Sequence, residues 1–224
     1  MPCQAGLGDE QLEARRHEES RSDGDRRTCR PGLIDAVSVQ IVFETHALSE
    51  DNERGIATGR LPGRLSERGR ALARELGERR IADGLAAVFT SDLRRALETV
   101  ELAFADSGLP VLVDWRLREC DYGLLNGAPA PQIHRERQQH LEMPYPGGES
   151  WEQAIRRVGR FLSDLPLRWS GRRVLVIGHL ATRWAFDHLV DGVRLEDLMQ
   201  EDFVWQEGWD YELDEPRNGE HVGS

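Results

Sequence analysis

Two histidines in this chain are delivered in the same way. Val37 to Phe43 is an apolar run that breaks off at Thr45-His46 and passes into a polar, turn-prone segment ending at Asn52. Val174-Leu175-Val176-Ile177-Gly178 is a second apolar run, and it ends at His179. A third run, Ala87-Val88-Phe89, leads through Thr90-Ser91-Asp92 into a helical pattern with Arg94 and Arg95 in its first turn. Buried strands of an open α/β sheet present side chains from their carboxyl ends to a common crevice. Two histidines and an arginine meeting there make a site for an anion, and helix N-terminal amides would reinforce it.

Composition narrows what that anion can be. The net charge of −11 argues against a nucleic-acid partner, because phosphate backbones need a basic face. All 29 basic residues are arginine, so a phosphate grip must come from arginine, histidine or backbone amides. Cys3, Cys29 and Cys120 have no metal-ligand spacing, which fits a reduced compartment without a zinc site. No apolar run approaches the ~20 residues of a membrane-spanning helix. The N-terminus lacks the apolar core of a signal peptide, so the expectation is a cytoplasmic protein with no membrane partner.

The ordered blocks around these residues resemble the histidine phosphatase superfamily, also called phosphoglycerate mutase-like. Thr45-His46-Ala47-Leu48-Ser49-Glu50-Asp51-Asn52 is similar to its opening signature, Arg-His-Gly-x-Thr-x-x-Asn, with Thr45 where the family has arginine and Ser49 where it has threonine. Ser91-Asp92-Leu93-Arg94-Arg95-Ala96 matches its Ser-x-Leu-x-Arg-Ala block, and Leu117-Arg118-Glu119 through Tyr122-Gly123 its Leu-x-Glu block. Gly178-His179 matches the second histidine block, and Thr58-Gly59 a substrate-contacting pair. The resemblance runs from about residue 37 to 213. It implies a nucleophile at His46, an acid/base at Glu119 and a phosphate grip from Arg95, His179, Ser49 and Asn52. Thr45, Thr58, Gly59, Tyr122 and Arg183 are added as substrate-side residues.

Positioning such residues takes alternating strands and helices. Residues 37–214 read as one α/β domain, a three-layer α/β/α sandwich with a mostly parallel central sheet. Ser66 is set to cap a helix running to Arg80, with Leu72 and Leu76 on its buried edge. Ser150-Trp151-Glu152-Gln153 is a capping-box pattern before the stripe Trp151, Ala154/Ile155, Val158, Phe161/Leu162 and Leu165. Trp205 to Leu213 reads as a final strand at an edge, antiparallel to its neighbour. Asn126 to Gly148, polar and rich in Pro and Gly, reads as a lid or partly helical flap over the pocket, modest and water-accessible. Residues 1–36 have no core-forming pattern and read as disordered, and 215–224 as a frayed tail.

The chemistry these residues imply is phosphoryl transfer through phosphohistidine, needing no metal or other cofactor. The leading expectation is a phosphatase for a small phosphorylated metabolite. A phosphoglycerate mutase-type isomerase and a phosphate-binding pseudoenzyme are the alternatives, the latter because threonine cannot imitate the fork of an arginine at position 45. Arg183, Arg60 and Arg64 are the expected replacements for that charge. The other histidines, His17, His134, His140, His188 and His221, are expected at solvent-facing positions.

Overall fold

In the computed structural model the described residues are 38–214; the readings for residues 1–36 and 215–224 lie outside them. In chain order, β1 (Ser38–Thr45) is followed by a one-turn α1 (Glu50–Glu53), β2 (Ile56–Ala57) and α2 (Glu67–Arg80). Next come β3 (Ala87–Thr90), α3 (Arg94–Phe104), β4 (Val111–Val113), β5 (Ala128–Pro129) and α4 (Ala130–Glu136). The chain then runs through α5 (Trp151–Asp164), α6 (Pro166–Trp169), β6 (Arg173–Gly178), α7 (Leu180–Leu189), α8 (Leu195–Leu198) and β7 (Trp209–Asp214).

Five strands form the central sheet in the order β4-β3-β6-β1-β7. All neighbours are parallel except β7, which runs antiparallel along the outer side of β1. The period of two along each strand divides the core. Val39, Ile41 and Phe43 of β1 join Ala87, Phe89, Val174 and Val176 against α5 and α7. Val42, Val88, Leu175 and Ile177 face the other way, against Leu76 of α2 and Val100 and Phe104 of α3. Both faces are therefore covered, as a mostly parallel sheet requires.

The helices begin where their caps place them. The Ser66 hydroxyl accepts the Gly69 N–H at 3.1 Å, and Ser150 and Gln153 cap each other at the start of α5. One segment departs from the sequence reading. The last strand starts at Trp209, not Trp205, because Gly208 takes a φ of +81° that ends the extended run. Residues 199–208 instead form a strap outside the sheet. The segment from Asn126 to Gly148 is partly helical, as expected. It holds β5, α4 and a 3₁₀ turn, β5 pairs with β2, and Ile133 and Tyr145 are buried in the main core.

Candidate active site

The parallel strands β1, β6 and β3 end side by side, and each hands over a polar residue at its carboxyl end. The ladder between β1 and β6 continues one step past the strands, since the His46 N–H donates to the Gly178 carbonyl at 3.0 Å. His46 and His179 are thereby brought together, with ring centroids 5.1 Å apart. Ser91 follows β3, and Arg95 rises from the first turn of α3 beside it.

Arg95 organises the pair. Its guanidinium is 2% exposed and donates from Nε to His46 Nε2 at 3.1 Å, and from Nη2 to the Gly59 carbonyl at 2.8 Å and His179 Nδ1 at 3.3 Å. These contacts set both tautomers. His46 Nδ1 lies 2.7 Å from the Ala47 carbonyl, which can only accept, so Nδ1 carries the proton and Nε2 keeps its lone pair. A guanidinium can only donate, so His179 Nδ1 is the acceptor and its Nε2–H donates to Ser91 Oγ at 2.7 Å. Burial, reinforced by the charge of Arg95, pushes the pKa of His46 down to about 3. The same two causes, in the same order, hold His179 well below the usual imidazole range. Both rings are neutral at ordinary pH, and Arg95 supplies the positive charge between them.

Glu119 approaches from the 3₁₀ turn after β4. Its Oε1 accepts the Cys120 and Ala181 N–H groups at 2.8 and 3.1 Å, and its Oε2 accepts the Leu180 N–H at 3.2 Å. Two of these donors belong to the first turn of α7, where an anion is favoured. Burial works against the charge and raises the pKa of Glu119 above the ordinary carboxylate value. Arg157 of α5, 2% exposed, fixes the backbone beneath: it donates to the carbonyls of Arg116, Arg118 and Glu119 and pairs with Glu149 at 2.9 Å. Arg60 joins the network, 2.8 Å from Glu149 and 3.4 Å from the Glu119 carbonyl. No sequence pattern marked Arg157 or Glu149: one lies within α5 and the other in the loop before it, and the carbonyls that Arg157 also holds come from a distant segment.

Thr45, His46, Asn52, Thr58, Gly59, Arg95, Glu119, Tyr122 and His179 all line one cavity of about 680 Å³. Gly59 sits at φ +54°, and a Cβ there would fall 1.9 Å from Asn126 Oδ1, so only glycine lets this loop close on Arg95. Thr58 Oγ1 donates to Asp51 Oδ2 at 2.9 Å. Ser49 and Asn52 cap α1 together: the Ser49 hydroxyl donates to Asn52 Oδ1 at 2.7 Å and accepts the Asn52 N–H at 3.1 Å. Ser49 is fully buried in that role and does not line the cavity, whereas Asn52 does.

Arg183 does not join the others. It pairs with Asp187 at 2.8 Å and lies over the Trp209 ring at 4.2 Å. Arg60 is committed to the Glu149 network, and Arg64 is not among the lining residues. Besides Arg95, the arginines that line the cavity are Arg68 and Arg79 of α2 and Arg137. Arg79 lies 3.5 Å from Glu44 Oε1, a carboxylate that is 1% exposed and held chiefly by Arg80 at 2.8 Å. His134, expected in solvent, stands on the cavity wall, while His140 stacks on Tyr145 at 3.8 Å. Among the described residues no group of acidic, histidine and cysteine side chains is arranged to hold a metal ion, and no helix is long and apolar enough to cross a membrane.

The family model of the histidine phosphatase superfamily (branch 1) matches residues 41–212. The chain belongs to that superfamily. It is 34% identical over 174 residues to a 2,3-bisphosphoglycerate-dependent phosphoglycerate mutase of a Methylobacterium strain, covering 70% of this chain and 83% of the relative. Of a longer relative from Mycobacterium tuberculosis, a bifunctional protein 34% identical over 149 residues, the chain spans 41%. Among solved structures it is similar to YhfR of Bacillus stearothermophilus, at a TM-score of 0.66 and 25% identity over 75% of this chain and 88% of the other. A mycobacterial glucosyl-3-phosphoglycerate phosphatase is similar at a TM-score of 0.63 and 26% identity, covering 73% and 84%. Relatives of this superfamily member thus include both mutases and phosphatases.

Proposed function

We propose that this protein is a phosphomonoesterase that works through a phosphohistidine at His46. The observation that carries the proposal is the unprotonated Nε2 of His46, fixed by the Nδ1–H bond to Ala47 and held by Arg95 Nε, a donor that a phosphoryl oxygen would take over as Nε2 turns to phosphorus. In the first step Nε2 attacks phosphorus, the ester P–O bond breaks, and the departing oxygen takes the proton of Glu119. In the second, Glu119, now a carboxylate, takes a proton from water as that water attacks phosphorus and the N–P bond breaks. Inorganic phosphate leaves, His46 is neutral again and Glu119 is reprotonated. Burial of Glu119 supports this role, because a raised pKa keeps the proton available at higher pH. Arg95, desolvated beside His46, would turn its Nε donor from His46 to the transferring oxygens and stabilise the charge on them.

A second reading, phosphoglycerate mutase, is favoured by the likeness to the Methylobacterium mutase. One experiment covers both. The purified protein is given a panel of phosphomonoesters and 3-phosphoglycerate, with phosphate release and formation of 2-phosphoglycerate followed in parallel. Rapid quenching should trap an acid-labile, base-stable phosphoprotein that is absent from His46→Ala. Interconversion of phosphoglycerates faster than phosphate release would replace the phosphatase reading with the mutase. No turnover and no phosphoprotein would leave a phosphate-binding pseudoenzyme.

A further inference from the structure

The candidate phosphoryl-gripping groups line a cavity far larger than a phosphoryl group, and much of the rest of its wall is apolar. Its walls are Leu48, Ile56, Leu72 and Ile133, and its mouth is crossed by the strap carrying Phe203 and Trp205. At about 680 Å³ the cavity falls within the size range of sites for drug-sized ligands.

The strap is held at both ends and bare in the middle. Arg137, 4% exposed, donates from Nε to the Met199 carbonyl at 2.6 Å and from Nη2 to the Glu201 carbonyl at 2.8 Å. At the far end the Arg80 Nη2 donates to the Glu207 carbonyl at 3.0 Å. Between these anchors Phe203, Val204 and Trp205 are 46%, 76% and 53% exposed. Arginines from two other segments thus fix the backbone of a stretch whose large apolar side chains stay exposed beside the cavity. Such a patch, rimmed by polar groups and continuous with a cavity, is the signature of a surface that binds something apolar.

The charged residues in the cavity point the same way. Arg137 is spent on the strap, Arg79 stands beside Glu44, and His134 lies 3.7 Å from Asp202. Only Arg68, exposed on α2, lines the cavity without a hydrogen bond or ion pair among the described residues. A small acidic leaving group would have Arg68 and the Arg79 Nε, which makes no hydrogen bond, whereas a bulky apolar group has Leu48, Ile56, Leu72, Ile133 and the strap.

We infer that the leaving group this site selects is a bulky apolar or aromatic alcohol, recognised by Phe203 and Trp205 of the strap. The inference rests on the phosphomonoesterase reading and names its substrate class. The test compares alkyl monoesters of similar leaving-group basicity, 2-(1-naphthyl)ethyl phosphate against ethyl phosphate, with 3-phosphoglycerate as the acidic comparator. Binding is read separately with two phosphonates that cannot be hydrolysed, naphthylmethylphosphonate and methylphosphonate. Wild type should favour the naphthyl ester in kcat/KM by at least about tenfold, the scale of one or two methylene-sized contacts in an apolar pocket. Phe203→Ser/Trp205→Ser should bring that ratio close to one and abolish the phosphonate preference. Equal affinity for the two phosphonates, or a ratio unaffected by the double substitution, overturns the inference. So does a preference for 3-phosphoglycerate that is lost in Arg68→Ala. Absence of all turnover together with a strap-dependent phosphonate preference overturns the catalytic reading and leaves the apolar subsite standing.

Discussion

Replacing Arg95 with methionine should separate binding from stability. The guanidinium is almost fully buried without a carboxylate in direct contact; its partners are two neutral imidazoles and the carbonyls of Gly59 and Leu61. Burial accordingly pulls its pKa down, with Glu119, Tyr122 and Asp51 only partly offsetting it. A desolvated cation costs several kcal/mol unless paired, so its loss relieves that penalty. Against the relief stand two carbonyls left without a donor, at about 1–3 kcal/mol each. The two contributions nearly cancel, and at roughly 2–4 °C per kcal/mol for a domain of this size Tm should move by no more than about 5 °C. Ligand response should change completely. Phosphate or vanadate at about a hundred times Kd stabilises a protein by ~2.7 kcal/mol, which is about 5–11 °C here. Arg95→Met should lose that shift, and with it at least about 10²–10³ in kcat for removal of an oxyanion donor. Thermal scans with and without vanadate, and phosphate release, measure both. A variant that still gains Tm with vanadate, or that melts far below wild type alone, refutes the assignment of Arg95 as an anion clamp.

The raised pKa of Glu119 gives a signed pH dependence: kcat/KM for an alkyl ester should fall as pH rises through that value, and Glu119→Gln should erase this limb and cost about 10²–10⁴ in rate. The loss should be much smaller for p-nitrophenyl phosphate, whose leaving group needs no proton; equal losses on both esters would count against an acid role. His46, with its pKa near 3, should contribute no acid limb in the free enzyme between pH 5 and 7, which a kcat/KM profile on ethyl phosphate checks. Arg157→Met strands Glu149 and three carbonyls, so chemical denaturation should show a loss of about 3–5 kcal/mol; a change under 1 kcal/mol would show that Arg60 alone holds the network. Thr45→Arg adds a guanidinium beside Arg95, and vanadate affinity measured by thermal shift should rise by about tenfold or more, as one charge-assisted contact implies. An unchanged affinity would mean that Thr45 stands outside the phosphoryl grip.

Where the chain announces its structure, it does so locally. Apolar runs ending in His46 and His179, the Ser66 cap and the Ser150–Gln153 capping box are short-range patterns, and short-range forces decide them. The same locality explains the misreadings. Ser49 and Asn52 look like phosphate ligands in a signature, yet three residues apart they are also a cap pair, and Ser49 is used up in that work. Trp205 reads as strand because aromatic residues favour strands, but the strap's backbone is claimed by Arg80 and Arg137 from remote segments. Ile133 and Tyr145 are single apolar residues in a polar run, so their burial under α4 and α5 leaves no periodic trace. Arg68 and Arg79 look like the solvated face of a helix, and only the position of α2 beside the strand ends turns them toward the cavity.

The strand order carries a consequence for how the protein is made. The first described strand, β1, has as its two neighbours the last two strands of the sheet, β6 and β7. While the chain is synthesised, the segment ending in His46 has no partner until residues 173–178 have emerged, and its outer edge stays open until residues 209–214 follow. A nascent β1 is therefore an apolar, two-edged strand waiting through most of translation, and such a strand pairs readily with other chains. Closing it late demands long-range contacts that make folding slow. The candidate site joins a strand made before β2 to one made after α6, so a chain that stops short of β6 leaves His46 without the neighbour that holds it.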